Sequence, residues 1–274
     1  MFNDTFSVLM SVYEKDNPKW VKESIESVVN QTVKPAQIVI VIDGPVGTDI
    51  EKVISEYEKN LLLDFNVLKL THNSGLGIAL REGLGICKYQ LVARMDSDDI
   101  SRPGRFELQL KEFSENPRLS ILSGYVQEIN CVTKEKLDVR KVPLTDTNIK
   151  KYIKTRSPFN HPAVMFKKDD VLKSGNYQNF HFMEDYYLWI RMAKNNLEMK
   201  NIPEILLEMR VNPGLYARRG GYKYFKSNKS IFDEMLKLNI INYKYYIFNI
   251  LVRFITQVAM PNNLRRLFYK KILR

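Results

Sequence analysis

Three carboxylates fall within four residues at Asp96-Ser97-Asp98-Asp99, directly after an apolar run. Acids this close repel one another unless a cation or hydrogen-bond donors compensate them. Hard divalent cations take one or two carboxylates together with phosphate oxygens, which suits Mn²⁺ or Mg²⁺ and a phosphorylated substrate. The same residues also read as a solvated acidic turn that caps the helix opened by Pro103. Glu184-Asp185 stand ahead of Tyr-Tyr-Leu-Trp-Ile-Arg. Acids in a first helical turn are favoured by the helix dipole, and a carboxylate fixed there also makes a general base where it faces a cleft. Spacing does not choose between the two. Arg218-Arg219-Gly220-Gly221 pairs two guanidinium forks that match phosphate oxygens with glycines that allow close backbone approach; a solvated loop has the same composition. Gly75-Leu-Gly77 meets Leu80 where a dinucleotide fingerprint needs its third glycine, which argues against an NAD site. His161 sits in a stiff Ser-Pro-Phe-Asn-His-Pro stretch, a setting in which histidine is more often structural than catalytic. No Gly-x-Ser-x-Gly, Walker or His-Glu-x-x-His pattern occurs, so serine hydrolase, P-loop and zincin chemistry have no support.

The elements that must position these groups alternate. Phe6–Val12 and Gln37–Ile42 are apolar strand runs, as are Phe65–Leu70 and Tyr89–Met95. Helical spacing follows each: from Asn17-Pro18, through Ile50 to Tyr57, through Ala79 to Leu84, and from Pro103 through Phe113. Four strand–helix units in a row imply an α/β fold with a parallel sheet, right-handed crossovers and helices on both faces. Ligands bind such sheets at the carboxyl ends of the strands. Those ends here carry Tyr13-Glu14, Asp43, His72-Asn73 and the Asp96–Asp99 cluster. Beyond Pro117 the pattern is mixed, with strands expected near 120–126 and 163–166 and helices over about 184–194 and 222–238.

With 274 residues, 45% of them apolar and 27% charged, the chain can bury a sizeable core. The net charge of +11 is uneven, because Arg218–Arg274 holds thirteen bases against Asp233 and Glu234 while the first 217 residues are neutral. Cys87 and Cys131 form no metal-binding or disulfide pattern. The N-terminal stretch lacks a signal-peptide pattern, and the longest greasy run, about 245–260, is interrupted by Arg253 and falls short of a span. These features lead us to expect a cytoplasmic protein without a transmembrane helix.

The pieces and their order resemble family 2 glycosyltransferases of the GT-A fold, from Ser7 to about Gly221. The strongest likeness is Ala93-Arg-Met-Asp-Ser-Asp-Asp-Ile-Ser-Arg-Pro-Gly-Arg-Phe-Glu-Leu-Gln; the others are Ser7–Tyr13, Asp43-Gly44, Asn73–Leu84 and Met183–Arg191. The resemblance implies a nucleotide-sugar domain over 1–221, a mixed, mostly parallel sheet flanked by helices, and inverting transfer from a UDP-sugar. It implies that Tyr13 and Asp43 hold the base, with Glu14, Asn73, Arg81, Arg94 and Ser97 lining the donor pocket. Asp96 would contact nucleoside or sugar, and Asp98 would be the main protein ligand of one divalent ion, Mn²⁺ or Mg²⁺. Asp185 would deprotonate the acceptor hydroxyl beside Glu184, Arg218 and Arg219 would face the diphosphate, and His161 and Trp189 would support the acceptor. Glu14 and Arg81 stand where the family often has asparagine. No histidine follows Asp185 to serve as the further metal ligand that some members have.

The basic, amphipathic stretch within 222–274 resembles the tails of bacterial enzymes that build O-antigen or capsule repeats on a polyprenyl diphosphate. It implies a lipid-linked saccharide acceptor and attachment to an anionic membrane at the inner face of the cell membrane. A helix that packs on the core or forms a homodimer has the same pattern. Two other functions compete. A nucleic-acid-binding module would use the +11 charge, but the acidic cluster and the greasy tail count against nucleic acid as a partner. A sugar-phosphate nucleotidyltransferase would share the metal but release pyrophosphate, and Ser7–Asn17 has no Gly-rich basic loop.

Overall fold

The computed structural model of the protein describes residues 5–60, 63–211 and 220–261. The first half follows the alternation in the sequence: β1 (Phe6–Val12), α1 (Pro18–Val29), β2 (Gln37–Ile42), α2 (Thr48–Asn60), β3 (Asp64–Lys69), α3 (Leu76–Ile86), β4 (Leu91–Asp96), β5 (Ile100–Ser101) and α4 (Arg105–Glu115). The second half is more varied. It comprises β6 (Leu119–Asn130), β7 (Lys136–Arg140), α5 (Asp146–Tyr152), a 3₁₀ turn at His161–Ala163, β8 (Met165–Lys167), α6 (Lys168–Lys173), α7 (Glu184–Lys194) and β9 (Glu198–Val211). Two C-terminal helices follow, α8 (Tyr222–Lys237) and α9 (Tyr243–Phe254), the latter running into a π-helical turn at Ile255–Ala259.

The strands form one sheet in the order β3-β2-β1-β4-β8-β6-β9-β5, with β7 on β6. The β3, β2, β1 and β4 ladders are parallel, as is the long β6–β9 ladder, whereas the antiparallel pairings made by β5, β7 and β8 are short. Alternate residues face opposite layers, as a strand requires. Phe6, Val8 and Met10 join Ile38 and Ile40 against α1, α2 and α4. Leu9, Val39, Val41 and Val92 face a second core that contains α3, α5 and α7. Ile231, Phe232 and Met235 of α8 lie in that second core, so the basic C-terminal segment begins as packed structure. The chain runs from β1 outward to β2 and β3 and returns to β4 on the other side of β1. The crevice outside the β1 and β4 carboxyl ends is therefore the switch point where such sheets bind ligands.

β7, α5, α6 and β9 were not evident from the sequence. β9 has Pro203 at its centre and charged residues along its length, and its pairing with β6 shifts register around Gly124 and Tyr125. Bulges of this kind break the two-residue periodicity by which a strand is read.

Candidate active site

Two glycines allow the strand ends to converge. A Cβ on Gly44, which has φ +84°, would lie 2.5 Å from the Asn73 nitrogen. A Cβ on Gly77 would lie 2.6 Å from the Gln178 carbonyl oxygen and 3.1 Å from the Glu184 Cβ, so only glycine lets α3 approach the start of α7. The Gly75-Leu-Gly77 pattern thus serves close packing. Asp43, at the end of β2, is buried and spans the same junction, its two oxygens accepting from the Ser74 and Gly75 amides at 2.7 and 2.9 Å. The Asn73 amide donates to the Asp43 carbonyl at 3.3 Å. Tyr13 and Glu14 are exposed beyond β1. Arg81 lies on the surface of α3 and pairs with Glu82 at 2.7 Å.

At the end of β4 the carboxylates of Asp96, Asp98 and Asp99 converge, one oxygen from each lying within 4.8 Å of the others. Burial, then Asp96 and Asp16, push Asp98 up to about 7, and burial with its acidic neighbours pushes Asp99 well above the usual carboxylate range. Asp99 Oδ1 accepts from the Arg210 amide at 3.0 Å, whereas its buried Oδ2 has no hydrogen-bond partner among the described residues. An all-oxygen donor set, mutual repulsion and an orphaned buried oxygen fit a hard divalent cation.

The cluster is braced from behind. Arg94 is buried and ion-paired with Asp96, so its influence on a ligand passes through that carboxylate. Arg105, also buried, donates to the Arg94 carbonyl at 2.7 Å, and Gln109 donates to the Ala163 carbonyl at 2.9 Å. Both belong to the extended likeness after Asp99 and fix β4 to the 3₁₀ turn. Sequence reasoning missed Asp16 and Arg210. The Ser97 hydroxyl donates to Asp16 at 2.8 Å, and Arg210 donates to the Asp98 carbonyl while pairing with Glu23. Asp16 was visible as one more acid beyond β1. Arg210 comes from an unrecognised strand more than a hundred residues away.

Glu184 and Asp185 open α7 with no side-chain cap on Met183. Burial raises both above the usual range, Glu184 to about 7 with Asp185 adding to the rise, while helix-start amides hold Asp185 partly back. Asp185 and Asp96 line the same cavity of about 390 Å³. His161 also lines it, its Nε2 lying 3.0 Å from the Tyr177 hydroxyl, and burial with nearby Arg94 keeps the ring well below its usual pKa and neutral. Trp189 is fully buried behind the wall, edge-on to Phe159 and His161, as a support. Arg218 and Arg219 lie outside the described residues. Arg140, Lys141, Arg156 and Arg253 also line the cavity, and the sequence marked none of them as a site residue.

Comparison with known proteins agrees with this geometry. The profile described as "Glycosyl transferase family 2" matches residues 7–173. The chain is 39% identical to a UDP-Gal:alpha-D-GlcNAc-diphosphoundecaprenol beta-1,3-galactosyltransferase of Escherichia coli, over 100% of this chain and 99% of the relative. It is 34% identical to the amylovoran biosynthesis glycosyltransferase AmsE of Erwinia amylovora, over 97% and 98%. Among solved structures, S. aureus TarS 1-349 in complex with UDP-GlcNAc superimposes with a TM-score of 0.69 at 16% identity, over 98% of this chain and 76% of TarS. With its strand-end carboxylates, its switch-point crevice and relatives matched end to end, the chain belongs to glycosyl transferase family 2.

Proposed function

We propose that this glycosyltransferase moves a hexose or N-acetylhexosamine, with galactose the first candidate, from UDP to a saccharide carried on a polyprenyl diphosphate. The observation that carries this reading is the single cavity onto which both Asp96 and Asp185 open. The end-to-end likeness to an enzyme named for UDP-Gal and a diphosphoundecaprenol acceptor supports the choice of substrates.

Asp185 takes the proton of the acceptor hydroxyl, and the freed oxygen attacks the anomeric carbon from the face opposite the nucleotide. The bond from that carbon to the diphosphate breaks, UDP leaves, and one displacement turns an α-linked donor into a β-linkage. Mn²⁺ or Mg²⁺, held chiefly by Asp98 with Asp96 and Asp99 beside it, would supply positive charge against the diphosphate. Arg94 orients Asp96 through their ion pair, and the half-buried, neutral His161 shapes the acceptor side without adding charge. Tyr13, Glu14 and Asn73 are positioned to flank the donor base, and we assign Arg218 and Arg219 to the diphosphate on the likeness alone.

The C-terminal helices support a peripheral site at the inner membrane face. Among the described residues no helix is long and apolar enough to cross a membrane. The α9 helix is inverted relative to an ordinary surface helix: Asn249 is buried, while Phe248 and Leu251 are 62% and 57% exposed. That apolar face beside a strongly basic tail suits the headgroup region of an anionic bilayer. The membrane-associating part of 222–274 is then α9 and the residues after it, with α8 belonging to the core.

The test is UDP release from a panel of UDP-hexoses and UDP-N-acetylhexosamines with Mn²⁺, with and without a lipid-diphosphate sugar acceptor. Release with one donor, accelerated by that acceptor and accompanied by a β-linked product, is expected. Release of pyrophosphate from UTP and a sugar phosphate would overturn the reading in favour of a nucleotidyltransferase.

A further inference from the structure

The cavity that reaches Asp96 and Asp185 also carries basic side chains. Its lining contains four lysine or arginine side chains against three acids, and two of those acids, Asp96 and Asp185, belong to the reacting end. The third, Glu128, is buried with its carboxylate 3.9 Å from Arg140 Nε, which ties that arginine to β6. The cations come from three separate places in the fold: Arg140 and Lys141 at the end of β7, Arg156 just after α5, and Arg253 on α9. The three arginines are held there. The Arg156 guanidinium lies 5.3 Å from the Tyr152 ring centroid, and Arg253 donates to the Thr155 carbonyl and sits 5.8 Å from the Phe232 ring. A guanidinium brings five N–H donors in a planar fork, so protein contacts that hold it are compatible with its grip on phosphate oxygens. Cations brought to one cavity from distant segments would together attract an anionic ligand.

The second observation is the position of α9. Arg253 lines the cavity, yet its helical neighbours Leu251, Phe254 and Ile255 are exposed. One short helix therefore has an apolar outer face and a cation turned toward the cavity. The cavity lining thus combines these cations, one of them on a helix with an apolar outer face, with Asp185 and Asp96. A lipid-linked sugar brings matching groups: hydrocarbon, diphosphate, and a sugar hydroxyl that attacks the donor. At about 390 Å³ the cavity lies within the usual range for small-ligand sites, about 300–1,000 Å³.

We propose that Arg140, Lys141, Arg156 and Arg253 form a subsite for the diphosphate of the lipid-linked acceptor, separate from the place of the donor's diphosphate at the aspartate cluster. This rests on the reading of the acceptor given above. It implies that the enzyme recognises its acceptor by the charged carrier group as well as by the sugar.

The test is calorimetric titration of the full chain with geranyl diphosphate in saturating UDP and Mn²⁺, so that the donor site is filled. Saturable binding is expected, weakened about tenfold or more in the Lys141→Ala/Arg156→Ala double variant. Lys141 is exposed, so Lys141→Glu alone, which reverses a charge without opening the core, should weaken binding as well. The UDP affinity of these variants should match that of the wild type. Equal geranyl diphosphate affinity in variants and wild type would overturn the subsite. So would loss of all binding once UDP is present, since the probe would then have occupied only the donor site. Failure of the underlying reading looks different: geranyl diphosphate still binds and the variants still weaken it, but no UDP-sugar is transferred to any lipid-diphosphate saccharide.

Discussion

The half of the molecule to which we assign the donor and the half to which we assign the acceptor are built in different ways. In the former, β1, β2 and β4 are short, mostly apolar strands buried on both faces, β3 is a more exposed edge strand, and helices join them in turn. Each strand hands its next few residues to the same crevice, so Tyr13, Asp43, Asn73 and Asp96 reach one edge by topology alone. The acceptor half has no such regularity. Its cavity is walled by a 3₁₀ turn, the segment after α5, the start of α7 and two C-terminal helices. A parallel sheet is a repeatable platform for a nucleotide, whereas the part that must recognise a particular acceptor is assembled from distant pieces.

Substitutions on the two sides should separate them. The largest effect is expected for Asp185→Asn, which keeps the shape of the side chain we assign as base but removes its ability to accept a proton. Transfer should fall by about 10²–10⁴-fold in kcat, measured as acceptor-dependent UDP release. Next comes the outer face of α9. Phe248→Asp with Leu251→Asp should weaken binding to anionic vesicles by about tenfold or more in a sedimentation assay, since each side chain buries substantial apolar area in a bilayer. Vesicle binding that is unchanged, with a monomer replacing a dimer in sedimentation velocity, would assign that face to a second copy of the chain instead.

A smaller effect tests the seam between the halves. Gly77→Ala adds a methyl group where the Gln178 carbonyl already stands, so α3 and the start of α7 must separate. A loss of about 1–3 kcal/mol in chemical denaturation is expected. The subtlest readout is the pH profile. Burial holds Asp185 and Glu184 above the usual carboxylate range, Glu184 at about 7. A base must be ionised to act, so kcat/KM should fall as pH drops, with its acid limb displaced above the ordinary carboxylate value. A limb near pH 4 would place the base elsewhere.

Much of the donor half was legible in the sequence because its signals are local. The boundaries of β1, β2 and α7 follow from apolar periodicity, the start of α1 from Asn17-Pro18, and the Asp96–Asp99 cluster is visible as four consecutive residues. What stayed hidden depends on contacts between residues far apart in the chain. Asp43 is a polar strand end in the sequence, and only the fold shows its carboxylate spanning the Ser74 and Gly75 amides. Arg210 carries no motif, and its grip on Asp98 and Asp99 requires β9 to lie beside β5. The polarity of α9 was legible as two faces, but not which face turns inward. An apolar stripe normally marks the buried side, and here the side bearing Asn249 and Arg253 packs against the protein.

The claim that two functionally distinct halves meet at one cavity is tested most directly by Mn²⁺-dependent UDP binding, measured by calorimetry on wild type, Asp98→Ala and Asp185→Asn. Asp98→Ala should lose the part of the UDP affinity that depends on Mn²⁺, while Asp185→Asn should bind UDP as the wild type does and fail only in transfer. Mn²⁺-dependent UDP binding that survives in Asp98→Ala, or is lost in Asp185→Asn, would contradict that division.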